Sequence, residues 1–308
     1  MYDPDGRWTS AAYADGTLVS QQYDPLGRRL QMADSGGITS FLYSNAGQLL
    51  GQTIPDGHRL TMAYDAVGNR TRLVDPDGGV FTYAYDLVGR TGSVQDPTGS
   101  LTTLLYDAAG QRTTLLDGSG ATRQYGYNTK GNLVRQIELN ANQQPIITIL
   151  DGYDAVGNRV GRTQDGIATT WVYDNAYRLL GQRSTGQSAT FVYDPAGNTL
   201  LKWQDDGKGP MTFAYDQANR IKTLADASGL TTYAYDANGN LLTERGSGGT
   251  TTNMYDNENR LVRVQTAVGV STYTYDGDGL RRTAQEAGAA VVTTFIWDGS
   301  DYLGEYAG

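Results

Sequence analysis

Between Gly79 and Thr102 apolar and polar positions alternate. Val80, Thr82 and Ala84 interleave with Phe81, Tyr83 and Tyr85, a period of two, rich in Thr and aromatics, that predicts a β-strand with two unlike faces. Asp86-Leu87-Val88-Gly89 interrupts the alternation. Asp hydrogen-bonds the backbone ahead of it and Gly takes positive φ, so the strand reverses there. A second short strand is predicted from Arg90 to Gln95, and Asp96-Pro97-Thr98-Gly99 turns the chain again. That second turn recurs as Asp34-Ser35-Gly36-Gly37, Asp75-Pro76-Asp77-Gly78, Asp117-Gly118-Ser119-Gly120 and Asp226-Ala227-Ser228-Gly229.

The first turn belongs to a phrase, Tyr-Asp-x-x-Gly-(Asn/Arg), that organises the whole chain. Its aromatic residue falls at Tyr2, Tyr23, Tyr43, Tyr64, Tyr85, Tyr106, Tyr127, Tyr153, Tyr173, Tyr193, Tyr215, Tyr235, Tyr255, Tyr275 and, as a substitute, Trp297, and eleven of the fourteen intervals are 20 or 21 residues. Such a period marks an array whose units bury their apolar faces only against their neighbours. The expected organisation is one array over residues 1–308, of about fifteen repeats, with no linker. The predicted fold class is all-β: antiparallel strand-turn-strand repeats of 20–21 residues, some thirty strands in series. At about 4.8 Å per strand a flat sheet would exceed about 100 Å in width. Twist forbids that and predicts a continuous coiled sheet, a spiral or a segment of a hollow β-shell.

The residues expected to matter are structural, the Tyr, Asp and Gly of the phrase. They are Tyr23, Asp24 and Gly27, Tyr64, Asp65 and Gly68, Tyr85, Asp86 and Gly89, Tyr106, Asp107 and Gly110, Tyr153, Asp154 and Gly157, Tyr193, Asp194 and Gly197, Tyr235, Asp236 and Gly239, and Tyr275, Asp276 and Gly279. Asn219 and Asn259 replace the glycine in two units, and Asn is the next residue to tolerate positive φ. At Tyr177 and Asp301 the fit fails, which predicts altered turns. The 26-residue interval from Tyr127 to Tyr153 holds Asn140-Ala141-Asn142-Gln143-Gln144, expected to form an elongated hairpin loop, with Glu138 to Gln144 the most protease-sensitive interior segment.

The residue two before the phrase aromatic shares its strand face. It is aromatic at Phe41, Tyr83, Tyr125, Trp171, Phe191, Phe213, Tyr233, Tyr273 and Phe295. The expectation is an aromatic ladder along one face, acting as a stabilising spine; a row of sugar-stacking platforms is the alternative.

Composition adds exclusions. There is no cysteine, so no disulfide or thiol chemistry. The formal net charge of −9 is scattered among turns, which argues against nucleic acid or an anionic membrane as partner. Basic charge is carried by twenty arginines and only four lysines, an imbalance suited to forked hydrogen bonds beside aromatic rings. No stretch is apolar and long enough to span a membrane as a helix. Met1-Tyr2-Asp3-Pro4 does not read as a signal peptide, and the chain opens inside a phrase, as a segment of something longer would.

Catalytic chemistry finds little to work with. His58, in Pro55-Asp56-Gly57-His58, is the one histidine and reads as an exposed turn residue; no Gly-x-Ser-x-Gly elbow occurs. Most of the 28 Asp occupy turn positions, which explains them without a carboxylate active site. Asp3-Pro4-Asp5-Gly6, Asp75-Pro76-Asp77-Gly78 and Asp276-Gly277-Asp278-Gly279 place paired carboxylates near carbonyls, but no twelve-residue calcium loop follows. Gly246-Ser247-Gly248-Gly249 lacks the Lys of a phosphate loop. The expectation is no enzyme, no cofactor and no metal.

With these residues in hand, the chain resembles the RHS or YD-repeat family, the Tyr-Asp pair or its Trp-Asp substitute standing at thirteen of fifteen phrase positions. The resemblance implies a β-sheet strip spiralling into a hollow shell, as in bacterial polymorphic toxins, insecticidal toxin complexes and teneurins, with a variable C-terminal toxin inside the bacterial shells. The family's Asp-Pro-x-Gly-Leu self-cleavage motif is not matched: Tyr23-Asp24-Pro25-Leu26-Gly27-Arg28 has Arg28 for Leu, and Asp278-Gly279-Leu280 lacks the Pro. No catalytic residue carries over. The implied role is a non-catalytic shell segment, secreted or at the cell surface within a larger protein, that encloses, protects or presents a polypeptide cargo. A glycan- or cell-surface-binding module is the rival. Exposed strand edges would invite self-association.

Overall fold

From Tyr43 through Tyr275, every phrase tyrosine is the last residue of a strand, and the residue that follows, Asp except at Ser44 and Asn128, opens a turn. The computed structural model describes residues 1–14 and 16–307 and is all-β, with 29 strands from Ser10–Ala12 to Asp301–Ala307 assigned to a single sheet. Neighbours in sequence pair antiparallel. Val80–Tyr85 pairs with Thr91–Gln95, and Thr91–Gln95 with Leu101–Tyr106.

The choice between 20 and 21 residues is made at the second turn. Intervals of 20 close it with a two-residue hairpin, as in the pairs Asp34↔Gly37, Gln164↔Ile167, Ser184↔Gln187, Gly246↔Gly249 and Thr266↔Gly269. Intervals of 21 use a five-residue turn in which the first N–H reaches the fifth carbonyl, as from Ile54 to His58 (3.0 Å) or Asp96 to Ser100 (3.0 Å).

The long interval keeps that five-residue turn. Asn140 N donates to Gln144 O at 2.9 Å, and Gln143 takes the glycine conformation at φ 59°. The surplus residues lengthen the arms, Leu133–Leu139 and Pro145–Tyr153, so the expected elongated loop is a pair of longer strands. The β-branched run Ile146-Ile147-Thr148-Ile149 favours continued pairing over a loop. The altered turn expected at Tyr177 is likewise absent: Asp174 N meets Arg178 O at 2.9 Å and Tyr177 adopts φ 62°. At Asp301 the turn does change, to a two-residue hairpin pairing Asp298 with Asp301.

A bulge accompanies every phrase from Tyr23 on. Ala84 pairs with Ser93 but Tyr85 with Thr91, leaving Gly92 as the extra residue, and the same shift precedes Tyr64, Tyr153, Tyr275 and Trp297. Recurrent bulges bend and twist each strand pair at one height.

The chain divides into two compact units, Met1–Val80 with Thr232–Gly308, and Phe81–Thr231. In the first, N-terminal strands pack on C-terminal ones. Val19, Met32, Leu60, Met62, Leu73, Ala284 and Ile296 are buried there. Gly277 lies so close that a Cβ would stand 2.7 Å from Val19 Cγ1 and 2.9 Å from Met32 Sδ. The contact is pinned by ion pairs: Arg282 forks onto Asp34 at 2.6 and 2.8 Å, Gly277 N donates to the same carboxylate at 2.9 Å, Arg29 forks onto Asp278, and Arg70 meets Asp298. In the second unit only Thr122 and Ala189 are buried among the described residues; its strands are otherwise half-buried or open.

Candidate functional site

The phrase turn is one construction with local variations. In Tyr64-Asp65-Ala66-Val67-Gly68-Asn69, Asp65 N donates to Asn69 O at 2.9 Å and Gly68 N to Asp65 O at 3.2 Å. Asp65 Oδ1 accepts from Val67 N and Asn69 N, and Oδ2 from Asn69 Nδ2 at 3.0 Å. The phrase glycines run from φ 78° at Gly6 to 99° at Gly68 and Gly157, with Gly27, Gly89, Gly110, Gly197, Gly239 and Gly279 between; Asn219 and Asn259 sit at 59° and 60°. A Cβ is disfavoured there, which accounts for the residue choice.

Where the phrase ends in Arg, that side chain joins two repeats. Arg90 Nε donates to Asp86 Oδ2 at 2.7 Å, its NH1 to the Asp107 carbonyl at 3.3 Å, and its guanidinium lies 4.6 Å from the Tyr106 ring centre. Arg28, Arg178 and Arg260 repeat the arrangement against Tyr43, Tyr193 and Tyr275. One residue later a second set of arginines covers the preceding rings: Arg29 lies over Phe41, Arg112 over Tyr125, Arg159 over Trp171 and Arg281 over Tyr273, all within 4.5 to 4.8 Å. The expected spine of stacked rings is therefore interleaved with guanidinium groups, and the excess of arginine over lysine has a geometric cause.

The phrase tyrosine has a task that sequence reasoning missed. Its hydroxyl donates to the carbonyl of the residue six places after the previous phrase aromatic: Tyr23 to Trp8, Tyr64 to Leu49, Tyr106 to Thr91, Tyr153 to Leu133 and Tyr193 to Leu179, each at 2.7 to 2.9 Å. Tyr127, Tyr173, Tyr215, Tyr255 and Tyr275 do the same. Trp297 replaces the hydroxyl with Nε1–H, 2.7 Å from Arg281 O. The available signal was that Phe never takes the phrase position, although it stands two residues earlier at Phe41, Phe191, Phe213 and Phe295.

Backbone and Arg90 hydrogen bonds outweigh desolvation and hold Asp86 below the ordinary carboxylate range, as the equivalent bonds do for Asp174 and Asp216. Asp276 departs. Leu280 stands where other turns place Arg, Asn or Gln, and burial pushes the Asp276 carboxyl up. The turn carboxylates of Asp3, Asp75 and Asp276 each accept backbone N–H bonds within their own turns. His58 is half-buried, its ring 4.2 Å from that of Tyr306 and its Nδ1 3.0 Å from Asp56 Oδ1. The phrase residues thus converge on no single pocket; they form rows in which each turn grips the next.

Two family models match the chain: the RHS repeat over residues 2–39, 43–80 and 64–101, and the teneurin YD-shell over 152–301. Among solved structures, the TcdB2-TccC3-TEV crystal structure superposes with TM-score 0.72 at 17% identity, covering 96% of this chain and 20% of that one. The Photorhabdus luminescens Tc holotoxin pore, with a mutated TccC3, gives 0.71 at 16% identity with the same coverage, and TcdB2-TccC3 without its hypervariable C-terminal region gives 0.54 at 14%, covering 100% of this chain and 23% of that one. The chain spans about a fifth of the length of these structures. Comparison with curated protein sequences gives no match. Repeat period, turn construction, fold and both family models agree, and the chain belongs to the RHS/YD-repeat family.

Proposed function

We propose that the chain is a non-catalytic wall segment of an RHS-type shell, enclosing a polypeptide within a larger protein that acts outside the cell. The observation that carries this reading is the second unit's sheet. The residue preceding the phrase tyrosine faces away from it, and there Leu105, Val172 and Val192 stand 54, 60 and 42% exposed. Leu180 and Leu200, from neighbouring strands, are also exposed. A recurrent apolar row left open on a sheet is a surface for polypeptide contact. The rival glycan-binding reading loses support because arginines cover the Tyr125 and Trp171 rings that would stack on sugar.

The test is protease protection in the parent protein. A polypeptide co-purifying with the intact protein should resist digestion that destroys it once residues 81–231 are deleted. Equal digestion in both would overturn the reading.

A further inference from the structure

Within the first unit lies a cavity of about 330 Å³, lined by Tyr13, Tyr255, Tyr273, Tyr275, Glu258 and Asp276, among others. Its acidic residues are not equivalent. Asp34 is neutralised by Arg282, and Asp256 and Glu258 are both held by Arg260. Glu258 also accepts the Tyr13 hydroxyl. Asp276 takes no side-chain hydrogen bond of this kind, although the Arg282 charge reaches it. Its Oδ1 accepts from Asp278 N at 3.0 Å and Leu280 N at 2.9 Å, while Oδ2 has no hydrogen-bond partner among the described residues. In the turns that end in Arg or Asn the same oxygen receives a side-chain donor, as Asp86 does from Arg90 and Asp236 from Asn240. Leu280 supplies none. A part-buried carboxylate without its donor has the chemistry that selects a cation through charge-assisted hydrogen bonds; the Tyr273 and Tyr275 rings beside it are already faced by Arg281 and Arg260.

We infer that this cavity receives a guanidinium or ammonium group, replacing from outside the arginine that the Asp276 turn lacks, supplied by a free amine or by an Arg or Lys side chain of a polypeptide. The inference is independent of the shell reading, which survives its failure.

The test is calorimetric titration of the full chain with N-acetyl-argininamide, with the uncharged citrulline analogue as control and the blocked tripeptide Gly-Arg-Gly as a second probe. Argininamide should bind saturably and the citrulline analogue should not. Asp276→Asn, which keeps the Oδ1 acceptor, should weaken binding at least tenfold, and Leu280→Arg should abolish it while raising Tm. Tripeptide binding more than tenfold tighter than argininamide assigns the cation to a polypeptide; equal affinities assign it to a free amine. No saturable binding, equal binding of both analogues, or undiminished binding by a folded Asp276→Asn variant would overturn the inference. Should Asp276→Asn fail to fold, Leu280→Arg decides: binding that persists in it sinks the proposal.

Discussion

The Tyr64 hydroxyl donates to the Leu49 carbonyl at 2.9 Å across fifteen residues of chain. Leu49 opens its strand, and the ladder to the next strand begins only at Gly51↔Thr61. Its carbonyl would otherwise face the gap where the two strands part, and the hydroxyl closes it. Tyr64→Phe keeps the ring and removes the bond, leaving a part-buried acceptor unpaired. Expected is a loss of about 1–2 kcal/mol, read from urea unfolding; an unchanged midpoint would show that water replaces the hydroxyl without cost.

Gly277 is the second close fit. Its missing Cβ leaves room for Val19 and Met32, and its N–H meets Asp34. Gly277→Ala should cost about 1–3 kcal/mol by overpacking, although alanine is otherwise ordinary at this turn position, as at Ala66 and Ala237. A thermal melt within a degree of the parent would mean that the packed strands shift freely.

Two substitutions at the same turn position should act in opposite directions. Tyr177, 60% exposed, spends its side chain at φ 62°, so Tyr177→Gly should stabilise by about 0.5–1 kcal/mol as left-handed strain is relieved. Gly239→Val, at φ 91°, should destabilise by at least about 1–2 kcal/mol. Chemical denaturation of both variants side by side checks the signs.

Acid should separate Asp86 from Asp276. Asp86 is held below its ordinary value of 3.8, so its contribution is fully present above pH 3.8 and is lost as pH falls through the lower folded value. Asp276 is raised above 3.8, so its contribution is present below pH 3.8 and is lost as pH rises through the folded value. Asp86→Asn should therefore lower Tm at pH 7 and converge with the parent in acid. Asp276→Asn should match or exceed the parent at pH 7. Melting curves from pH 2.5 to 7 check both.

The parts of this fold that sequence made plain are local. A strand that alternates, an Asp that caps its own turn and a glycine or asparagine at positive φ each act within six residues, so they are written where they work. The Tyr64 hydroxyl bond was hidden because its partner lies on the preceding repeat. Arg282 and Asp34, 248 residues apart, were hidden more deeply, since nothing in either turn marks which distant strand it will meet. Asn140–Gln144 misled for a different reason: polar composition suggested a loop, while pairing of the isoleucine-rich arm decided the structure.

The hairpin around Asn140–Gln144 also separates what is fixed in each repeat from what is free. Turn, bulge and hydroxyl bond sit at the phrase end of the strands and hold one geometry; the opposite end accepts two-residue, five-residue or lengthened closures without disturbing it. Each unit is thus anchored along one margin and adjustable along the other, like a fringe hung from a rail. Foreign segments grafted at 140–144 would lengthen one tassel while every knot on the rail stayed tied.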